Sequence, residues 1–360
     1  MEPTEPPQTN VAQRNKHLSF AINLALLTMS VFVVAVPAEF VFRHRYGHMF
    51  YNPRPAVQAV QQYLTLDPKI GFKWQPNIDA ERGIRFSIND MTTLPLSTDS
   101  FGVMNSPAAK KEYAAGGSFD IVGVGDSFME MGAAPFHDRF KQAGYSYYSL
   151  AIHRQCPPQY NAQFTAYAPD LQPKILLYGL FENDFYETQD FQSWQKSGLD
   201  WFTYHSGTWC GPPIGVGVCD RFLRTHARGW YAFARVLDSK YRGENISSSG
   251  PGIGETADVA DYIANSARVA HNTGARFILI IIPSKQTAIS GDSLESRAYD
   301  TMLELLQRAS IEVVDLRKPF HEHPDPASLY YVKDGHWNDK GIALAADIIL
   351  KHLESRPNEP

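Results

Sequence analysis

A chain of 360 residues, 44% of them hydrophobic, can bury one sizeable core and still carry a tail, an anchor and an insertion. A formal net charge of -5, with Lys and Arg scattered, offers no basic stripe to neutralise phosphates, which argues against nucleic acid as a partner. One catalytic domain with appendages is the expected plan.

Residues 1–17 are polar and proline-bearing, a tail expected to be disordered. Leu18–Ala38, LSFAINLALLTMSVFVVAVPA, carries no charge and matches the roughly 20 residues that cross a bilayer core as a helix. It predicts a transmembrane anchor over 18–42, with the lipid bilayer as partner. A cleaved secretory signal is the competing reading, since Val36-Pro37-Ala38 loosely resembles a small-residue cleavage site. Arg14 and Lys16 on one flank face Arg43, Arg45 and Arg54 on the other, so charge alone does not orient the segment. A short tail before a first hydrophobic segment usually stays inside, which predicts a single-pass protein with its large domain periplasmic or otherwise extracytoplasmic.

Residues 43–115 hold turn signals, DPKIGFKWQPN and TDSFGVMN among them, and read as a membrane-proximal collar. From Phe119 the runs FDIVGVG, YYSLAI, KILLYGL, ARFILIII and IEVVDL alternate with helix-length segments, and 255–272, 292–309 and 338–353 have apolar residues at helical spacing. This alternation predicts an α/β domain over 116–356, a three-layer α/β/α sandwich with a mostly parallel sheet. Such sheets bind ligands in a crevice at the carboxyl ends of their strands. Residues 186–250 form a Trp- and Gly-rich insertion without clear periodicity. Within it Cys210 and Cys219 bracket WCGPPIGVGVC, a loop suited to a disulfide, with two unpaired thiols as the alternative. Cys156 is left over as a buried small residue or a free thiol.

Three constellations follow strand runs. Gly125-Asp126-Ser127-Phe128 places a serine at a strand-to-helix turn, where its hydroxyl faces the crevice and its N–H lies at the positive end of the following helix; a plain capped turn is the competing reading. Phe181-Glu182-Asn183-Asp184 puts an amide where it could meet a developing oxyanion, or simply shapes a turn. Asp334-Gly335-His336-Trp337-Asn338, before the last helix, offers a base and a carboxylate to orient it. His321, Glu322, His323 and Asp325 could supply metal ligands, but a polar loop is the preferred reading, and neither a metal nor another cofactor is expected.

In this order and placement the three blocks resemble the SGNH hydrolase family, also called GDSL esterases, over about residues 116–356. The resemblance implies Ser127 as nucleophile, Asp334 and His336 as acid and base, and an oxyanion hole from the Ser127 N–H, Asn183 and the second block. That block, YSLAIHRQCPPQ, has Ala151 and Arg154 where glycines are expected, and Phe181 replaces a glycine before Asn183. Arg154 is left either to offer its N–H or to bind an anionic group with its guanidinium. The single residue between Asp334 and His336 is similar to members acting as polysaccharide O-acyl esterases or O-acetyltransferases. Asp126, Asp184 and Trp337 within the blocks, with Trp201 and Trp209 in the insertion, are candidate substrate contacts; Trp194, Trp230 and Tyr204 lie near them, and aromatic faces stack on sugar rings. The expected function is hydrolysis or transfer of an acyl group, acetyl above all, on a cell-envelope carbohydrate or other small ester. A binding module that has lost turnover and a lipase are the alternatives.

Overall fold

The computed structural model of the chain describes residues 63–79, 85–87, 93–204, 253–291, 294–309, 311–332 and 335–356, with parts of 19–41. The chain divides into two units, Arg54–Ser206 with Ser247–Pro360, and Met1–Pro53 with Gly207–Ile246.

The first unit opens on two antiparallel hairpins, β1 (Leu64–Asp67) with β2 (Gly71–Trp74) and β3 (Arg85–Ser87) with β4 (Thr93–Pro95). Asp67 Oδ1 shapes the first turn by accepting from the N–H groups of Lys69 at 2.9 Å and Ile70 at 3.1 Å, the local bonding for which Asp favours turns. Five strands follow, β5 (Ile121–Val124), β6 (Tyr147–Ser149), β7 (Ile175–Leu180), β8 (Arg276–Ile281) and β9 (Glu312–Asp315). They form one parallel sheet in the order β6-β5-β7-β8-β9, and each lies within one of the runs read from the sequence. Every residue of β7 and β8 is buried, as their continuous apolar runs require of a sheet covered on both faces.

The described helices of this unit are α1 (Pro107–Ala114), α2 (Ser127–Gln142), α3 (Pro157–Leu171), α4 (Asp184–Ser197), α5 (Ile253–Asn272), α6 (Lys285–Ser290), α7 (Leu294–Leu306), α8 (Arg317–His321) and α9 (Asp339–Ser355), with a single turn at Trp201–Tyr204. On one face α2 and α9 bury Phe128, Phe136, Phe140, Ile342 and Ile349 with Ile121, Leu177, Ile278 and Ile280 of the sheet; each such side chain contributes about 1.5–3 kcal/mol. On the other, Tyr160 of α3 meets Tyr178 of β7 edge-on at 5.4 Å, and Phe185 of α4 meets Tyr299 of α7 at 5.6 Å. Helix α4 occupies the start of the stretch expected to lack periodicity: Phe185, Thr188, Phe191 and Trp194 recur every three residues and form its buried stripe, the spacing of one helix face.

Residues 98–105 of the stretch read as a collar pack against the sheet within the same unit. Asn105 Nδ2 donates to Ser149 O and its Oδ1 accepts from Ser149 N, both at 2.9 Å, so one side chain satisfies the free edge of β6 in place of a strand. Beneath it buried Asp99 accepts from Asn105, Phe101 N and Tyr148 OH, and burial raises its carboxyl above the usual range.

In the second unit residues 33–41 are helical, and Ile22, Leu26, Met29, Val33, Val34, Val36, Phe40 and Val41 are exposed. Among the described residues no helix is long and apolar enough to cross a membrane; the rest of the 18–42 segment lies outside them.

Candidate active site

Strand β5 runs into the Ser127 turn through Gly125, at φ +156°, where an added Cβ would lie 2.4 Å from Met129 Cγ. Glycine alone fits this approach of strand to helix. Asp126 caps α2, its Oδ1 accepting from Phe128 N at 3.0 Å, and Ser127 becomes the first helical residue. Its N–H is among the donors that a helix start leaves without an internal partner. The Ser127 Oγ lies 2.7 Å from His336 Nε2 and 3.4 Å from Asp126 Oδ2. That distance is a hydrogen bond between the hydroxyl and the ring nitrogen, whose direction depends on the imidazole tautomer.

His336 is held from several sides. Its carbonyl accepts from Tyr331 N at 3.0 Å, Tyr330 and Trp337 form an antiparallel bridge, and Trp337 Nε1 donates to Phe128 O at 3.0 Å. Asn338 caps α9 and donates to Ser328 O and Tyr330 O. Lys285 Nζ donates to Tyr331 O at 2.8 Å and Val332 O at 3.1 Å, gripping the loop ahead of the histidine. Asp334, the expected acid, lies outside the described residues.

Asn183 sits after β7 as the N-cap residue of α4. Its side chain opposes the rise of the Asp126 and Glu187 carboxyls, while its Oδ1 is buried without a partner. Burial pushes Asp126 up to about 6 and Glu187 up to about 8, and raises Asp184 well above the carboxylate range. Asp126 raises the other two further by like-charge repulsion, and Arg154 opposes the rise at Glu187. Burial and mutual repulsion thus act together to disfavour the charged forms of these three carboxyls.

Arg154 follows β6. Leu150 N donates to Gly123 O at 2.7 Å and Ile152 N to Gly125 O at 3.3 Å, carrying the β6 backbone alongside the Ser127 turn. Arg154 then adopts φ +58°, the left-handed conformation for which glycine is the ordinary choice. The loops after β5, β6 and β7 meet where the strand order reverses, the place such sheets hold their ligands.

Several of the expected substrate contacts are buried. Asp126 and Asp184 are 1% and 0% exposed, and Trp337 and Trp201 are 0% and 6% exposed. Asp126 caps a helix; Asp184 accepts from Tyr160 OH at 2.6 Å and Phe181 N at 2.8 Å; Trp337 props the histidine loop. Trp201 packs on Phe72 and Trp194 at 5.3 Å each, and Trp194, also buried, donates to Leu199 O. Tyr204 reaches Asp190. Trp209, Trp230, Cys210 and Cys219 lie outside the described residues. Cys156 is buried, with its thiol toward Gln159 Oε1 and its ionisation pushed up by desolvation. His321 bonds Ala288 O, and His323 accepts from Asp325 N; among the described residues no three ligating groups gather for a metal.

Sequence reading missed Glu130, His153, Glu187 and Lys285. Helical spacing was a usable signal for two of them, Glu130 three residues after Ser127 and Glu187 four after Asn183.

Residues 231–359 match the family model described as an SGNH hydrolase-like domain of the acetyltransferase AlgX. The match covers β8, β9, α9 and His336, and leaves out Ser127 and Asn183. No curated protein matches the chain. Among solved structures, a GDSL-like lipase from Bacteroides thetaiotaomicron is 14% identical with a TM-score of 0.40, over 69% of this chain and 96% of that one. A putative acylhydrolase from Bacteroides fragilis is 14% identical at 0.41, over 69% and 95%. An acetyl xylan esterase is 11% identical at 0.39, over 65% and 98%. The chain is thus similar to the SGNH hydrolases, as its motifs indicated.

Proposed function

Taking an SGNH hydrolase-like domain as the premise, we propose that this chain is a serine ester hydrolase or O-acyltransferase that works through an acyl-Ser127 intermediate on an acylated carbohydrate, acetyl being the expected acyl group. The observation that carries the reading is the 2.7 Å approach of Ser127 Oγ to His336 Nε2 at the mouth of the sheet.

In the proposed reaction His336 takes the hydroxyl proton as Oγ bonds the acyl carbon, and the carbonyl oxygen gains the negative charge. The Ser127 N–H, the Arg154 N–H and the Asn183 amide are the donors proposed to receive that charge. Collapse breaks the ester bond, and the sugar hydroxyl leaves with the proton from His336. Water or an acceptor hydroxyl then attacks acyl-Ser127, giving up its proton to His336 and regenerating the serine. Asp334 is the carboxylate proposed to hold the imidazole in the required tautomer.

The acetyltransferase description of the matching family supports acyl transfer as well as hydrolysis. The exposed apolar residues along 22–41 support a membrane anchor, which would present the domain outside the cytoplasm to cell-envelope glycans. Incubation of the purified protein with 4-nitrophenyl acetate and with acetylated oligosaccharides, followed by mass spectrometry, tests the reading. The expected result is an acetyl adduct on Ser127 that water or a glycan discharges. Glycan binding with neither adduct nor turnover would replace the enzyme with a binding module.

A further inference from the structure

The Arg154 turn is tied to hairpin strand β2 on both sides. Before it, His153 Nδ1 donates to Glu130 Oε2 at 3.1 Å, and the other oxygen of that carboxylate accepts from Trp74 Nε1 at 2.7 Å. Glu130 is 2% exposed and stands in the first turn of α2, three residues beyond Ser127. The imidazole lies 4.8 Å from the ring of Trp74 and 5.8 Å from that of Phe72. After the turn, Gln155 Nε2 donates to Phe72 O at 3.1 Å, and Gln155 O accepts from Tyr160 OH at 2.7 Å. Gln155 N closes the turn onto Ile152 O at 3.3 Å.

A side-chain-bearing residue costs roughly 1–2 kcal/mol in the left-handed region, so the conformation of Arg154 persists only if its neighbours hold it. A buried carboxylate bonded to two donors is strong enough for that. We infer that Glu130 and His153, backed by Trp74, are positioning residues that hold the Arg154 turn where its N–H can meet the oxyanion. The inference rests on the acyl-serine reading above. It makes the hairpin ahead of the sheet a working part of the catalytic machinery.

The test measures kcat and KM of the full chain on 4-nitrophenyl acetate for His153→Ala and His153→Gln, each in the wild-type and Arg154→Gly backgrounds, with Ser127→Ala in parallel. Loss of an oxyanion donor costs about 10²–10³ in kcat, and displacing one should cost less. His153→Ala is therefore expected to lower kcat about tenfold with KM within about twofold, the pattern of a lost transition-state contact. His153→Gln keeps an N–H for Glu130 and should recover most of the loss, which also separates positioning from misfolding. Glycine adopts the left-handed turn unaided, so in the Arg154→Gly background the loss should shrink to about threefold or less, a coupling between the two sites. Equal losses in both backgrounds, or an unchanged kcat for His153→Ala beside an inactive Ser127→Ala, overturn the inference alone. Turnover that survives in Ser127→Ala overturns the acyl-serine reading and the inference with it.

Discussion

The turns after β5 and β6 stand side by side and solve the same problem differently. After β5, Gly125 takes φ +156° and admits Met129 without a clash, so the geometry is intrinsic to the residue. After β6, Arg154 takes φ +58°, a conformation its own side chain disfavours, and distant groups supply the restraint. The first turn is robust because local chemistry dictates it. The second is conditional on the packing around it, which makes it the place where the hairpin can influence the site.

The largest effect is expected at the intrinsic turn. Ser127→Ala should leave the fold intact and lower kcat by about 10⁴-fold or more, since the covalent step is deleted. Retention of a tenth of the activity would remove Ser127 as nucleophile.

Next comes the cap of the same turn. The Asp126 carboxyl is raised from 3.8 to about 6, so its contribution to stability is fully present below about pH 4 and lost as pH rises through 6. At 1.36 kcal/mol per unit, the loss is on the order of 3 kcal/mol. Asp126→Asn keeps an N-cap side chain without this titration. The melting temperature of the wild type should therefore fall relative to the variant between pH 4 and 7; parallel curves would show that the carboxyl does not titrate in that window.

Gly125→Ala should destabilise by about 2–3 kcal/mol through overpacking against Met129 and backbone strain, read as a lower denaturant midpoint at unchanged slope. Smallest is Arg154→Gly. Relief of the left-handed backbone, partly offset by the greater freedom of an unfolded glycine, predicts a gain of up to about 1 kcal/mol. A gain from Gly125→Ala, or a loss from Arg154→Gly, would reverse the contrast between the two turns.

Local pattern carried much of this protein. Continuous β-rich runs with helical spacing between them determined the parallel sheet, because side-chain period and burial follow from neighbours in the chain. The glycine-bearing Gly125-Asp126-Ser127 turn and the Asp-Gly-His block were legible for the same reason, and both residues of the Ser127–His336 contact lie in those blocks. What tertiary structure decided is which side chains face the crevice. Membership of a block drew attention to Asp126, Asp184 and Trp337, and the Trp-rich insertion to Trp201, yet packing buries all four. Glu130, held between Trp74 and His153 across 56 and 23 positions of sequence, carries no local signal of its partners. Such contacts are set by where the strands place their loops, and a residue's neighbours in sequence do not encode that placement.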